Sequence, residues 1–174
     1  MFKKIVQLRL ESYAKRYLEK HRPKLVVVVG SVGKTSTKVA IATVLGEQFR
    51  VRTEEGNHNT EMSVPLSILG IDYPTDIRSI GQWLIVFKAA KLRIDDQKDV
   101  DVIVQELGTD RPGDISHFGK YLHPDIAVVT AVSAEHMQSF GTVEATAVEE
   151  LAVAGFSDLS VINRDDVDAA YAKY

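Results

Sequence analysis

Val26-Val27-Val28-Val29-Gly30-Ser31-Val32-Gly33-Lys34-Thr35-Ser36-Thr37-Lys38 decides the fold. Four consecutive β-branched residues read as a strand buried on both faces. Gly30 and Gly33 then permit a tight turn, and Lys34-Thr35 opens a helical pattern running to Leu45. Such a turn directs backbone N–H groups at an anion, and the helix start adds partial positive charge. The ligand that suits it is a polyphosphate. Lys34 would reach the β- and γ-phosphates, and the Thr35 hydroxyl would offer an oxygen to Mg²⁺. The longer phosphate-loop pattern has a glycine where this chain has Val28, so the loop is a shortened Gly-x-x-Gly-Lys-Thr form. An ordinary β-α turn would leave Lys34 and Thr35 without a reason to sit at the helix start.

Working outward, Val100–Leu107, Asp125–Thr130 and Ser160–Asn163 read as further strands, with a short one around Phe49–Thr53. Helical patterns cover Met1–Arg22, a short segment from Pro65, Ile77–Ile94, Val143–Val153 and a last one starting at Asp165. Asp114 can cap a short helix toward Tyr121. Strands separated by helices predict an α/β fold, a three-layer parallel sheet with helices on both faces. Right-handed crossovers bring the strand C-termini to one edge, where ligands bind. The expected core faces are Ile5, Leu8, Tyr13, Tyr17 and Leu18 in the first helix and Ala40, Ile41, Val44 and Leu45 in the second. In the helix after Ile77 they are Trp83, Leu84, Phe87 and Leu92. Trp83 could alternatively stack a base, but its neighbours Ile80, Leu84 and Phe87 favour a core role.

At 174 residues the chain is the size of one domain. The formal net charge of −3 leaves no electrostatic footprint for nucleic acid. With no cysteine there is neither a disulfide framework nor a thiolate metal site. No apolar run approaches a membrane span. Met1–Arg22 is basic but lacks the apolar region and cleavage site of a signal peptide. It reads as an amphipathic helix that packs on the protein rather than one that lies on a membrane. Cytoplasm is the expected compartment, since ATP and Mg²⁺ are available there.

Two candidate metal ligands stand at strand C-termini. Glu106 ends its strand on the same edge as the phosphate loop. His136 follows Thr130 by a few residues, and its imidazole suits a site that also accepts Mn²⁺. Of Glu149 and Glu150, one can face inward, with a surface pair as the alternative. Asp110 and Asp114 can be loop caps. Asn163, Asp165 and Asp166 follow a strand end where an adenosine could be held. No Gly-x-Ser-x-Gly elbow and no three-glycine dinucleotide fingerprint is present. The implied chemistry is phosphoryl transfer by positioning and charge neutralisation.

Taken together, these segments resemble the central ATP-binding domain of the Mur ligases. The residues from Gly30 to Lys38 look like that family's ATP loop. Gly56-Asn57-His58-Asn59-Thr60-Glu61 with Val64-Pro65-Leu66, Glu106-Leu107-Gly108 with Pro112-Gly113-Asp114-Ile115, and Pro124–Thr130 with Glu135-His136-Met137 and Phe140-Gly141 resemble its later motifs. Val161–Asp166 is similar to the strand that follows. The Asn-His-Asn-Thr-Glu and Pro-Gly-Asp-Ile segments look most like the branch that adds D-alanyl-D-alanine to a UDP-muramoyl tripeptide.

The resemblance implies a Mur-type ligase that makes an amide bond through an acyl phosphate, in peptidoglycan precursor synthesis. By position, Gly30, Ser31, Val32, Gly33, Lys34, Thr35, Ser36 and Asn163 would contact ATP. Thr35 and Glu106 would hold Mg²⁺, and His136 a second ion. Asn59 would lie near the γ-phosphate and the substrate carboxylate. Glu150 falls where the family has a carbamylated lysine, and would bring a carboxylate without modification. Thr130-Ala131 replaces the usual Thr-Asn.

Residues 1–22 are thus expected to be an N-terminal helix, and 23–174 a partial ATP-binding domain ending inside a helical pattern. The UDP-muramoyl peptide and the amino-acid or dipeptide acceptor would be engaged only by a full-length enzyme. The competing readings are a folate- or cyanophycin-type ligase domain and a phosphate-loop regulatory module without ligase activity.

Overall fold

The computed structural model describes residues 2–56 and 58–174; Met1 and Asn57, the latter in the second motif, lie outside the described residues. Five strands form one parallel sheet in the order β2-β3-β1-β4-β5. They are β1 (Lys24–Val29), β2 (Val51–Arg52), β3 (Val102–Glu106), β4 (Ile126–Val129) and β5 (Leu159–Ile162). The helices are α1 (Phe2–His21), α2 (Lys34–Gly46), α3 (Ser63–Leu69), α4 (Ile80–Asp95), α5 (Asp114–Phe118), α6 (Met137–Phe140) and α7 (Val143–Leu151). Of two 3₁₀ segments, Ala152–Phe156 continues α7, which ends two residues before the expected Val153, and Ala169–Lys173 stands within the helical pattern expected from Asp165.

The valine run occupies the centre of the sheet because both of its faces are covered. Side chains alternate along a strand. Val26 and Val28 join Val102 and Val104 against Ala42 of α2. Leu25, Val27 and Val29 face the other way, into a larger core with Ala14 and Tyr17 of α1, Ile68 of α3 and Ala147 of α7. This is the expected three-layer α/β arrangement. Register pairs Val28 with both Glu106 and Val128, so the ends of β1, β3 and β4 lie level at one edge.

The helix faces differ from expectation. In α1 the buried stripe is Val6, Leu10, Ala14 and Tyr17, while Ile5 and Leu8 are exposed. Val6 and Leu10 pack with Met62, Leu66, Trp83 and Val86, so α1 is built into the domain. Polar contacts reinforce it. His117 Nε2 lies 2.7 Å from Glu11 Oε1, and the Tyr17 hydroxyl donates to Asp99 at 2.6 Å. In α2, the expected Ile41 and Leu45 pack against the sheet beside Ala42, Lys38 is buried with them, and Ala40 and Val44 face solvent. In α4, Trp83 is buried with Val86, Ala90 and Ile94, whereas Ile80, Leu84 and Leu92 are exposed. The physical reason is the same each time. Apolar residues were spaced to allow more than one stripe, and the neighbouring elements selected which stripe is covered.

Candidate functional site

The loop after β1 is shaped by its two glycines, with φ of 125° at Gly30 and 83° at Gly33. Gly33 is the N-cap of α2 and has no side-chain cap, so the helix start depends on other partners. A Cβ on Gly30 would stand 2.3 Å from Thr130 Oγ1 and 2.9 Å from the Ala131 backbone. That contact braces the loop. Thr130 Oγ1 donates to the Val32 carbonyl at 2.6 Å, and the Ser31 amide donates to the Ala131 carbonyl at 2.9 Å. Where the sequence has Thr130-Ala131, the threonine hydroxyl and the alanine backbone therefore hold the loop.

A cavity of about 1060 Å³ opens above this edge. Ser31, Gly33, Lys34, Thr35 and Ser36 form its loop wall. Asn59, Glu106 and His136 line it from three other segments. The Thr35 hydroxyl donates to Glu106 Oε2 at 2.8 Å, and Asn59 Nδ2 donates to Glu106 Oε1 at 3.0 Å. Glu106 is 2% exposed, held at the end of β3 instead of emerging into solvent. Asn59 is seated in turn by Gly108, whose amide donates to the Asn59 carbonyl at 2.8 Å. A Cβ on Gly108 would meet the Asn59 side chain at 2.8 Å. Lys34 Nζ curls back to the carbonyls of Gly30 at 2.5 Å and Ser31 at 3.2 Å. In that position its charge lies along the loop that the sequence assigns to phosphates.

His136 has φ of 50°, a left-handed conformation uncommon for a side-chain-bearing residue. Its Nε2 lies 3.7 Å from both Asp110 Oδ1 and Glu135 Oε1, across the cavity from α2. Among the described residues no group of three or more His, Asp or Glu stands close enough to hold a metal ion by itself. The oxygen donors of Thr35 and Glu106 suit Mg²⁺, which keeps several waters and takes few protein ligands.

Other sequence candidates lie elsewhere. Glu150 is beneath the loop and off the cavity wall, its Oε2 accepting the Gly30 amide at 2.8 Å. Burial pushes its carboxyl up to about 7, against the lowering influence of Lys34. Asn163 is exposed, with its side-chain amide donating to the Thr130 carbonyl and to Asp166. Val32 is exposed at the loop crest, away from the cavity wall. Glu149 and Glu150 are both buried, where one was expected to face inward. Asp114 is the first residue of α5, not its cap; Gly113 is the cap, and Asp114 Oδ2 accepts from the amides of Asp110 and Arg111.

Sequence reasoning gave no role to Lys38. It is 2% exposed, and its Nζ donates to the carbonyls of Glu54 at 2.7 Å and Gly56 at 2.9 Å, tying α2 to the second-motif loop. Its spacing to Ile41 and Leu45, three and seven residues on in the expected core face, was the signal that it belongs to the inward face.

Residues 28–174 match the Mur ligase middle domain family. The UDP-N-acetylmuramoyl-tripeptide–D-alanyl-D-alanine ligase of Bacillus subtilis is 31% identical over 144 residues, covering 83% of this chain and 26% of that protein. Its Borreliella burgdorferi counterpart is 26% identical over 155 residues, covering 88% and 28%. The MurF ligase from Thermotoga maritima, solved in complex with ADP, superposes with a TM-score of 0.72 at 29% identity, covering 94% of this chain and 33% of that one. MurF from Acinetobacter baumannii gives 0.74 at 18% identity, covering 96% and 32%, a likeness of fold alone. The chain spans about a quarter of the length of these curated relatives. No helix among the described residues is long and apolar enough to cross a membrane.

Proposed function

The chain belongs to the Mur ligase middle domain family, and on that premise we propose that it is the ATP-binding portion of an ATP-dependent amide-bond-forming ligase. The observation that carries this reading is the convergence on one cavity of Lys34 and Thr35 from the loop, Asn59, Glu106 and His136. Four separate segments deliver one cation, one carboxylate, one amide and one imidazole to the same space.

In this reading a substrate carboxylate oxygen attacks the γ-phosphorus of ATP and ADP departs, leaving an acyl phosphate. An amine then attacks the acyl carbon and expels inorganic phosphate. The protein supplies position and charge. Lys34 leaves the Gly30 and Ser31 carbonyls and turns its ammonium to the β- and γ-phosphates. Thr35 and Glu106 would hold Mg²⁺, which would supply positive charge beside the phosphate oxygens, with Mn²⁺ as an alternative ion. His136 is the candidate for a second ion across the cavity. Asn59, seated on Gly108 and bonded to Glu106, presents its amide toward the γ-phosphate and the attacking carboxylate.

The relatives' names give a UDP-N-acetylmuramoyl tripeptide and D-alanyl-D-alanine as the substrates joined; in our reading the tripeptide is the acyl donor, D-alanyl-D-alanine the amine, and the reaction a step of peptidoglycan precursor synthesis in the cytoplasm. Those substrates belong to a full-length enzyme.

Calorimetry with ATP and MgCl₂ tests the reading. Binding should require the divalent ion, and Lys34→Ala should weaken it at least about tenfold, the worth of one or two charge-assisted hydrogen bonds. Equal affinity in the variant would overturn the phosphate-loop assignment.

A further inference from the structure

We propose that Glu149 and Glu150 are a pair of positioning residues through which α7 sets the relative placement of two loops that line the cavity. Glu150 seats the phosphate loop by accepting the Gly30 amide at 2.8 Å. Glu149 seats the Thr109–Ile115 loop by accepting the amides of Gly113 and Ile115, each at 2.7 Å, and the Thr109 hydroxyl at 3.2 Å. What the loops bind rests on the nucleotide reading above. The seating itself is a property of the chain.

Two adjacent carboxylates on a helix project about 100° apart, so a single helix can serve two loops with them. Both are almost wholly buried, 5% and 2% exposed. Burying carboxylates is costly unless hydrogen bonds satisfy them. Here the satisfying donors are loop amides and a hydroxyl, and no lysine or arginine is bonded to either group among the described residues. Each amide that donates belongs to a residue whose own helix or strand has no partner for it. Gly113 is the N-cap of α5 and has no side-chain cap, so its amide and that of Ile115 are orphans of a helix start. Glu149 caps α5 from another helix. Gly30 follows the last residue of β1, with Thr130 packed on its other side. Glu150 and Thr130 therefore grip the loop from two directions.

The helix that carries both carboxylates is fixed at its own ends. The Thr142 side chain caps it by accepting the Ala145 amide at 3.1 Å, and Ala147 and Leu151 lie in the main core. A stiff, capped helix with two buried acceptors acts as a spacer. With Oε2 given to the Gly30 amide, Glu150 is assigned to the loop backbone in place of a metal.

The test uses the ¹⁵N-labelled chain and reads amide exchange by NMR together with nucleotide affinity. Glu150→Ala should speed exchange of the Gly30 amide at least about tenfold, the equivalent of one net hydrogen bond. Gly113 and Ile115 should stay protected. Glu149→Ala should do the reverse. Glu150→Gln, whose carboxamide oxygen can accept the same bond, should restore protection at Gly30. It should also leave ATP affinity within about threefold of wild type at an unchanged Mg²⁺ requirement, whereas Glu150→Ala loses about tenfold. Unchanged Gly30 exchange in Glu150→Ala would overturn the seating. A Mg²⁺ requirement raised as much by Gln as by Ala would instead make Glu150 a metal ligand, and overturns it equally. A wild-type chain that binds no ATP but shows the expected exchange pattern supports the seating and sinks the nucleotide reading. Should the alanine variants fail to fold, wild type, Glu150→Gln and Glu149→Gln decide: Gly30 must be protected in all three, whereas Glu149→Gln, with one carboxamide oxygen in place of the two that accept the Gly113 and Ile115 amides, must lose protection at one of those two; full protection of both in Glu149→Gln overturns the seating.

Discussion

Lys38 Nζ stands 4.0 Å from Glu106 Oε2, and both side chains are almost wholly buried. The carboxylate proposed for the metal is thus accompanied by a fixed cation that also holds the Glu54 and Gly56 carbonyls. Removing one member of a buried pair leaves the other uncompensated. Lys38→Met keeps the aliphatic length and deletes the charge, and should cost about 3 kcal/mol in urea unfolding. A loss below about 1 kcal/mol would mean that Glu106 is adequately served by Thr35 and Asn59 alone.

Gly30 and Gly141 both have positive φ, 125° and 73°, but only Gly30 is crowded. Gly141→Ala meets nothing within 4 Å and should cost about 1 kcal/mol, the left-handed penalty alone. Gly30→Ala adds a collision with Thr130 and the Ala131 backbone, and should cost about 3 kcal/mol or more. Similar losses for the two variants in parallel thermal melts would contradict the bracing role of Thr130.

Glu150 makes stability depend on pH. Its carboxyl is raised from the ordinary 4.5 to about 7, chiefly by burial. A group raised in the folded state favours folding when protonated, so its contribution is fully present below about pH 4.5 and is lost as pH rises to about 7. Glu150→Gln does not titrate. The stability of the variant relative to wild type should therefore increase between these pH values, by up to about 3 kcal/mol, and level off above. Denaturant melts at half-unit steps would show it. A flat difference across the window would place the carboxyl at its ordinary value.

Leu10 and Leu8 test the phase of α1. Leu10 is fully buried and Leu8 is 51% exposed. Leu10→Ala should cost about 2–5 kcal/mol, whereas Leu8→Ala should stay within about 0.5 kcal/mol. Equal effects in chemical denaturation would mean that the helix is docked on another face.

The parts of the fold legible in the sequence were those whose environment is uniform. Val26–Val29 and Val102–Val104 are covered on both faces, so apolar, β-branched runs announce them without any knowledge of their partners. Gly30, Gly33, Lys34 and Thr35 were legible because a phosphate loop is a local structure, its spacing set within a few residues. Helix faces were less so. Ile5 and Leu8 satisfy a helical stripe as well as Val6 and Leu10 do, and only the packing of Met62 and Trp83 decides between them. Glu149, Glu150 and Thr130 were opaque for a related reason. Their partners are backbone groups far away in sequence, and a backbone amide carries no side-chain identity for a sequence to display.

The order of strands in the sheet also governs how the chain can fold. β1 is made before both of its neighbours in the sheet, yet Lys24 aligns with Val102 and Val26 with Ile126. Its two neighbours are thus joined to it only by closing long loops, which slows folding relative to local pairings. Until Val102–Glu106 has left the ribosome, Val26–Val29 is a β-branched, uncharged run with both edges unpaired. Such a run is prone to pair with its own copy in another chain. A nascent chain stalled before β3 would therefore be a stronger candidate for chaperone capture than the finished domain, in which the same residues form the middle of the sheet.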